Sequence, residues 1–283
     1  MQSRREFLDT LGRMALGAAA LGCARAGAFA LPGGRRDIPI GLQLYTVREL
    51  MKRDFDGTLA RVADIGYREV EFAGYFGRTP AQVRESLARH GLTAPSTHIA
   101  LPANDAAWAR TLDEAKAIGH DWVTIAWLDA PLRRTPDDWA RIADRFNHLG
   151  ALARQAGLRF AYHNHDFEFA RVGDDSLFNT LLARTDPALV DLEMDIYWVT
   201  KAGADPLAII GAHPDRFPLL HVKDATAAPE RRMVDVGAGV IDFPAIIAAD
   251  RAALRHMFVE HDEPADPLAS IRASYSYLSR LKS

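Results

Sequence analysis

The chain has 283 residues, of which 48% are hydrophobic and 25% are charged, as is usual for a globular protein. Its formal net charge of −3 argues against a broad nucleic-acid-binding surface, which needs an excess of lysine and arginine. The single cysteine, Cys23, excludes an intrachain disulfide framework, and the length suits either two small domains or one large α/β barrel.

The first thirty residues have the pattern of an export signal. Ser3–Leu8 reads SRREFL, and an apolar Ala/Gly/Leu stretch then leads to AFA at residues 28–30. This resembles a twin-arginine signal cleaved after Ala30, which predicts delivery to the periplasm by the twin-arginine export machinery. The apolar stretch is too short and glycine-rich for a membrane span. Two alternatives are a basic amphipathic start to a cytoplasmic protein and a lipoprotein anchor at Cys23, which the bulky Leu21 disfavours.

From residue 38 onward, short apolar runs alternate with helical patterns. Eight runs have the length and composition of β-strands: residues 38–47, 67–74, 92–101, 121–128, 158–165, 190–198, 217–225 and 256–262. Thr79-Pro80 and Thr135-Pro136 are typical helix starts, Gly91 and Gly157 are typical stops, and the last helix is expected near 266–282.

Eight strand–helix units in this length predict a single (β/α)8 TIM barrel over residues 38–283. A doubly wound α/β sheet is the alternative. Such a sheet would normally have fewer strands and often a glycine-rich turn after the first one, whereas the first run here ends in QLYTVREL.

Polar side chains collect towards the ends of the predicted strands, where a barrel of this kind places its active site. Because alternate strand positions share a face, the following pairs would point together: Gln43 and Tyr45, Glu69 and Glu71, Ser96 and His98, His163 and His165, Glu193 and Asp195, His221 and Lys223, Glu260 and Asp262. Buried charge is costly unless it is paired or bound to metal. The set therefore predicts a mixed nitrogen and oxygen site for Mn²⁺, Mg²⁺, Co²⁺ or Zn²⁺, although each residue taken singly could be an ion-paired or hydrogen-bonded core residue.

The motifs along the chain resemble those of the xylose isomerase-like barrels, a superfamily of sugar isomerases, epimerases and inosose dehydratase that also contains endonuclease IV. The matching segments are GLQLYTVR, EVEFAG, STHIAL, FAYHNHDFEF, DIYW, LLHVKD, GAGVIDF and FVEHD, in that order. The resemblance implies one divalent metal held by a residue of strand five, an Asp of strand six, a His of strand seven and a Glu of strand eight. In this sequence these are His163, Asp195, His221 and Glu260.

The chain departs from the family pattern at two positions. Many epimerases have Glu on strand five where this chain has His163, so His165 and Glu168 are also candidates for that ligand. Many have a histidine three residues after the strand-six aspartate, where this chain has Trp198. The second departure removes an imidazole that binds substrate in those relatives.

The ligand set implies proton abstraction next to a carbonyl, because a divalent metal polarises the carbonyl and acidifies the adjacent C–H. Glu260 is the expected base, with His163 or His165 returning a proton. Return to carbon gives epimerisation or isomerisation, whereas protonation of a departing oxygen gives β-elimination. The expected substrate-binding residues are Gln43, Tyr45, Glu71, His98, Glu168, Trp198 and Lys223.

We therefore expect a metal-dependent isomerase or epimerase of a free sugar or keto-sugar, since sugar phosphates are mainly cytoplasmic and Val236–Val240 (VGAGV) is a weak candidate for a phosphate cradle. The alternatives are a lyase or dehydratase acting on 3-keto-glycosides or inososes, which the departures at His163 and Trp198 favour, and a catalytically silent periplasmic sugar-binding protein. An endonuclease IV-like nuclease would need several metals and a basic face. No nucleic-acid partner is expected, and a homo-oligomer is left open.

Overall fold

The computed structural model describes residues 38–250 and 252–282. The predicted export signal, its cleavage site and Cys23 lie outside the described residues. Within them, no helix combines the length and the apolar character that crossing a membrane requires.

Eight parallel strands close into a barrel, which confirms the predicted fold. They are β1 (Ile40–Gln43), β2 (Glu69–Phe72), β3 (Thr93–Ile99), β4 (Trp122–Ile125), β5 (Arg159–His163), β6 (Val190–Asp195), β7 (Leu219–Val222) and β8 (His256–Val259). Each strand pairs with its neighbours in sequence, and β1 closes the barrel between β2 and β8, with Leu42 opposite both Val70 and Val259.

Helices surround the barrel and connect its strands. They are α1 (Arg48–Arg53), α2 (Phe55–Ile65), α3 (Pro80–His90), α4 (Asp105–Ile118), α5 (Pro136–Gln155), α6 (Leu177–Arg184), α7 (Ile196–Lys201), α8 (Pro206–Ala212), α9 (Phe243–Ala249) and α10 (Pro267–Lys282). Short 3-10 turns at Leu44–Val47, Ala130–Leu132 and Phe167–Phe169 and two small hairpins complete the connections, one of which pairs Asp224–Ala225 with Met233–Val234.

The predicted helix signals are confirmed. Thr79 and Thr135 each form a capping box at the start of a helix whose first residue is proline. Gly91 and Gly157 follow the ends of these helices with φ of +63° and +81°, a region that favours glycine because it has no Cβ. These local patterns set the boundaries of α3 and α5.

The strands end earlier than the apolar runs that predicted them. β5 ends at His163, so His165 lies in the following loop, and the expectation that the two histidines share a strand face is wrong. β6 ends at Asp195, and Trp198 belongs to α7. The physical reason is local capping: Asp195 Oδ1 accepts a hydrogen bond from the Trp198 amide at 2.9 Å, which begins a helix directly after the strand.

A small apolar cluster inside the barrel supports the polar residues above it. Trp122, Ala161, Leu219 and Phe258 form this cluster, whereas the larger core fills the space between barrel and helices. Ala161, Leu219 and Phe258 each precede a predicted metal ligand by two residues, so strand alternation places them one layer below the ligands.

Candidate metal centre and active site

Carboxylates and imidazoles from six strands meet inside the barrel at its C-terminal end. These residues are Glu71, His98, His163, Glu193, Asp195, His221 and Glu260. All are buried except His98, whose side chain is 10% exposed. They divide into two groups that share His221.

The first group is a ring of two imidazoles and two carboxylates, formed by Glu71, His98, Glu193 and His221. His98 Nε2 lies 2.6 Å from Glu193 Oε2 and 3.2 Å from Glu71 Oε2. His221 Nε2 lies 2.6 Å from Glu71 Oε2 and 3.2 Å from Glu193 Oε2. Gln43 donates a further hydrogen bond of 2.8 Å to Glu71 Oε2. Nitrogen and oxygen alternate around this carboxylate–imidazole ring, so each imidazole has one short carboxylate partner.

The second group lies nearer the barrel mouth and surrounds an ammonium group with carboxylates. Lys223 Nζ is 2.7 Å from Glu260 Oε2, 2.7 Å from Asp262 Oδ1 and 3.0 Å from Asp195 Oδ2. The lysine is only 2% exposed. His221 joins this group through its other nitrogen, because Nδ1 lies 2.7 Å from Glu260 Oε2.

His163 also contacts both groups. Its Nδ1 is 3.1 Å from Glu193 Oε2 and its Nε2 is 3.7 Å from Asp195 Oδ2. His165 instead lies at the mouth, with its ring centroid 4.9 Å from that of Trp127 and 5.4 Å from that of Trp198. Of the strand-five candidates, His163 is therefore the one that faces the other predicted ligands.

Glu168 does not occupy the predicted position at the site. Its carboxylate is fully buried and accepts hydrogen bonds from the Tyr162 hydroxyl and, at 2.8 Å, from the His165 backbone amide. Tyr162 packs against Phe146 of α5, on the helix side of β5. Both oxygens thus have partners outside the cluster of predicted ligands, and the contact of Glu168 with substrate or metal stays a prediction.

The remaining predicted substrate-binding residues are distributed between the ring and the mouth. Gln43, Glu71 and His98 are tied to the carboxylate–imidazole ring, whereas Tyr45 is 42% exposed and packs against the Arg48 guanidinium. Trp198 Nε1 and His165 Nδ1 are buried and lack a hydrogen-bond partner among the described residues. These two atoms are available to hydroxyl groups of a ligand at the mouth.

Burial and ion pairing set the protonation of the cluster. Burial alone would raise the pKa of Glu260, but the charges of Lys223 and His221 hold it far below the usual range. Burial raises the pKa of Asp195 to about 6, although Lys223 opposes the shift. Burial would lower the pKa of His221, but the carboxylates of Glu193 and Glu260 raise it well above the usual value. A cation bound at His221 must therefore displace a proton.

The residues at the mouth side of the cluster fit a divalent cation. Asp195, His221 and Glu260 offer ligand atoms that all lie within 4.8 Å of one another. Asp195 Oδ2 is buried and makes no hydrogen bond to any described residue, although the Lys223 ammonium is close to it. With His163 these residues form a mixed imidazole and carboxylate set, which suits Zn²⁺, Mn²⁺ or Co²⁺.

Several functional residues were not assigned from the sequence. Glu193 and Asp262 were recognised only as members of strand-end pairs, and their roles depend on partners from other strands. Trp127, 46% exposed two residues beyond β4, forms a wall of the mouth next to His165. An aromatic residue directly after a predicted barrel strand was the signal available for it.

Asp224 was missed as well, and it changes the interpretation of the VGAGV turn. Its Oδ2 accepts hydrogen bonds of 2.9 Å from the amides of Gly237 and Gly239, and its Oδ1 accepts from Ala225 and Ile241. A Cβ on Gly239 would lie 2.2 Å from Asp224 Oδ1, so glycine is required there. The amides that would form a phosphate cradle therefore already bind an internal carboxylate.

Comparison with known proteins identifies the family. Residues 59–269 match the family described as xylose isomerase-like TIM barrel. The chain belongs to this family. An inosose dehydratase of Bacillus anthracis is 34% identical over 102 residues, which is 34% of this chain and 34% of that protein. The chain thus matches about a third of the length of that relative.

Two further similarities cover more of this xylose isomerase-like barrel. An inosose dehydratase of Lacticaseibacillus casei is 26% identical over 207 residues, covering 66% of this chain and 69% of the relative. The crystal structure of a sugar phosphate isomerase/epimerase from Parabacteroides distasonis ATCC 8503 has a TM-score of 0.75 at 24% identity, covering 89% of this chain and 96% of the other. The family model thus covers most of the barrel, and the crystal structure shares its fold.

Proposed function

We propose that this protein is a divalent-metal-dependent enzyme that removes the proton next to the carbonyl of a free sugar or keto-sugar, in an isomerase or epimerase reaction. The observation that carries the proposal is the buried convergence of Asp195, His221 and Glu260, with His163 beside them. We assign these four residues as the metal ligands, since they are two imidazoles and two carboxylates at the active-site end of the barrel.

Each side chain at the mouth has a defined part in this chemistry. A divalent cation, when bound, would polarise the substrate carbonyl and acidify the neighbouring C–H. Glu260 is ionised at neutral pH and is placed to accept that proton. Lys223, paired with Glu260 and Asp262, is placed to donate hydrogen bonds to substrate oxygens. Burial, followed by the charge of Lys223, lowers the pKa of His165 to about 3, so that ring is uncharged at neutral pH and can bind substrate hydroxyl groups through hydrogen bonds.

A dehydratase or lyase is the second candidate. It shares the first step, in which the C–H proton passes to Glu260, but the β-oxygen then leaves and an unsaturated carbonyl product forms. Two observations favour it: the curated relatives above are inosose dehydratases, and the Lys223 ammonium lies 2.7 Å from Glu260, where it can give a proton to a departing oxygen. Trp198, at a position where many epimerases have histidine, agrees with this candidate.

The substrate is proposed to lack a phosphate group. The amides of the VGAGV turn are occupied by Asp224, and Trp127, Trp198 and Tyr45 give the mouth aromatic walls suited to sugar rings. A periplasmic location, proposed from the twin-arginine pattern of residues 1–30, would also separate the protein from cytoplasmic sugar phosphates.

Hydrogen exchange in D₂O tests the proposal. Metal-loaded protein is incubated with free sugars and with 3-keto-glycosides, and the products are followed by NMR and mass spectrometry. Deuterium at the α-carbon of recovered sugar would support the isomerase or epimerase, whereas a released aglycone or an unsaturated product would support the lyase. Metal binding without exchange or turnover on any substrate would contradict both and favour a sugar-binding protein.

Glu260→Gln tests the base. At saturating metal it should retain the metal but lose turnover, because the amide cannot accept the proton. Glu263→Gln, a change at an exposed position of the same loop, is the matched control and should remain active. Full activity of Glu260→Gln would exclude the proposed role.

A further inference from the structure

We infer that Glu71 and Glu193 are positioning residues that hold the two histidine ligands in defined tautomers, an inference that rests on the proposed function. Both carboxylates are fully buried in the carboxylate–imidazole ring, and neither belongs to the proposed ligand set. Each carboxylate would accept the proton of one imidazole nitrogen and leave the other nitrogen of that histidine free to bind the cation. The same hydrogen bond would fix the orientation of the imidazole.

His221 shows this arrangement most clearly. Its Nε2 lies 2.6 Å from Glu71 Oε2, and its Nδ1 lies 2.7 Å from Glu260 Oε2. A neutral imidazole has a proton on one nitrogen and a lone pair on the other. Nδ1 faces Glu260, a proposed ligand, and is therefore the nitrogen on the side of the cation, whereas Nε2 faces Glu71, which is outside the ligand set. The proton therefore stays on Nε2, and the Nδ1 lone pair is left for the metal.

His163 repeats the arrangement from the other side of the barrel. Its Nδ1 faces Glu193 Oε2 at 3.1 Å, and its Nε2 faces Asp195 Oδ2 at 3.7 Å. Proton donation from Nδ1 to Glu193 leaves Nε2 as the metal-binding atom. Carboxylates that orient metal-bound histidines in this way fix both the tautomer and the ring orientation.

A second metal within the ring is the competing interpretation. His98, His163, Glu193 and His221 offer ligand atoms within 4.8 Å of one another. If both sites were filled, His221 would bind a cation at each nitrogen and would have to lose both ring protons. In a hydrogen-bonded ring without metal, His221 does not have to lose both protons, because His98 and His221 each have a carboxylate oxygen at 2.6 Å.

Strand β2 supplies a matched control for Glu71. Glu69, two residues earlier on the same face of the strand, accepts a hydrogen bond of 2.8 Å from His256 Nδ1. This pair is also a carboxylate and an imidazole, and Glu69 is 8% exposed. His256 is not among the residues grouped around the metal site, so Glu69→Gln replaces a similar carboxylate partner by a neutral amide without altering a ligand histidine.

The test compares Zn²⁺ affinity and metal content of the wild type, Glu71→Gln, Glu193→Gln and Glu69→Gln, using a chromophoric chelator as competitor. We expect one metal per chain, affinity about 10–100-fold weaker in Glu71→Gln and Glu193→Gln, and no change in Glu69→Gln. In the Zn²⁺-loaded wild type, ¹⁵N-histidine NMR should show His221 protonated at Nε2. This second measurement needs no variant and applies even if a substitution prevents folding.

Three outcomes would overturn the inference and leave the proposed function intact. They are wild-type Zn²⁺ affinity in Glu71→Gln, two metals per chain, and His221 protonated at Nδ1 with zinc bound. A wild-type protein that binds no divalent metal would overturn the proposed function and the inference with it. The two failures are therefore distinguishable in one set of measurements.

Discussion

Replacing Lys223 by methionine should strongly destabilise the metal-free protein. Lys223 is 2% exposed, and its ammonium lies within 3.0 Å of oxygens of Asp195, Glu260 and Asp262. Methionine fills a similar volume but leaves these carboxylates facing one another without a cation. Removing one partner of a buried ion pair costs about 3–5 kcal/mol. For a domain of this size we expect Tm to fall by about 6–20 °C, since each kcal/mol corresponds to about 2–4 °C.

A bound divalent metal should restore part of the thermal stability that Lys223→Met loses. A divalent cation bound by Asp195 and Glu260 would supply the missing positive charge, so the rise in Tm on adding Zn²⁺ should be larger in Lys223→Met than in the wild type. The part of the loss that comes from Asp195 should also shrink in EDTA as the pH falls towards about 6, because burial raises the pKa of Asp195 to about 6 even beside Lys223, and removing the ammonium raises this pKa further. Calorimetric melting in EDTA and in saturating Zn²⁺ measures both effects.

Lys52→Met is the control for this experiment. Lys52 Nζ lies 2.6 Å from Glu49 Oε1, but both side chains are 58% exposed, and exposed pairs contribute about 0–1 kcal/mol. Equal melting temperatures of the two variants in EDTA, or equal rises in Tm on adding Zn²⁺, would contradict the proposal that Lys223 balances the charge of the carboxylates around it.

Two further predictions concern residues around the site. Burial raises the pKa of Glu168 to about 7 from 4.5, so the folded state keeps a proton that the unfolded state loses between these values. The free energy of unfolding should therefore fall as the pH rises from 5 to 7, by up to about 3 kcal/mol. Urea titrations of Glu168→Gln should lack this fall, and identical pH profiles of wild type and variant would contradict the prediction. Gly239→Ala should lower the free energy of unfolding by about 1–3 kcal/mol, because its Cβ would lie 2.2 Å from Asp224 Oδ1 and 2.3 Å from the Ala225 carbonyl oxygen. Gly211→Ala in α8, where a Cβ meets no atom within 4 Å, should be neutral or stabilising by up to about 1 kcal/mol, and equal losses in the two variants would exclude the Asp224 contact as the cause.

Local sequence patterns predicted the fold because their physical causes are local. The capping boxes at Thr79 and Thr135, the positive-φ glycines after their helices, and the eight apolar runs each depend on residues a few positions apart. Strand ends were predicted less well, because the apolar runs continue past them. β6 stops where Asp195 caps α7, and that side-chain contact is not visible in an apolar pattern.

Part of the candidate site was also accessible from the sequence. A barrel brings the C-terminal ends of its strands to one opening, so polar residues at those ends predict a shared site without any knowledge of distances. The resemblance to a family then suggested His163, Asp195, His221 and Glu260 as ligands. The structure brings these residues together, and their assignment as ligands stays a prediction for the metal measurements.

Only the tertiary structure decided which partner each polar group has. The bond between His221 and Glu71 joins residues 150 positions apart, and the bond between Lys223 and Asp262 spans 39. Such pairs depend on the stagger of strands in a closed barrel, which no local pattern records. Glu168 shows the same dependence: it lies in the turn Phe167–Phe169 after β5, and the path of that turn brings its carboxylate to the Tyr162 hydroxyl and the His165 amide.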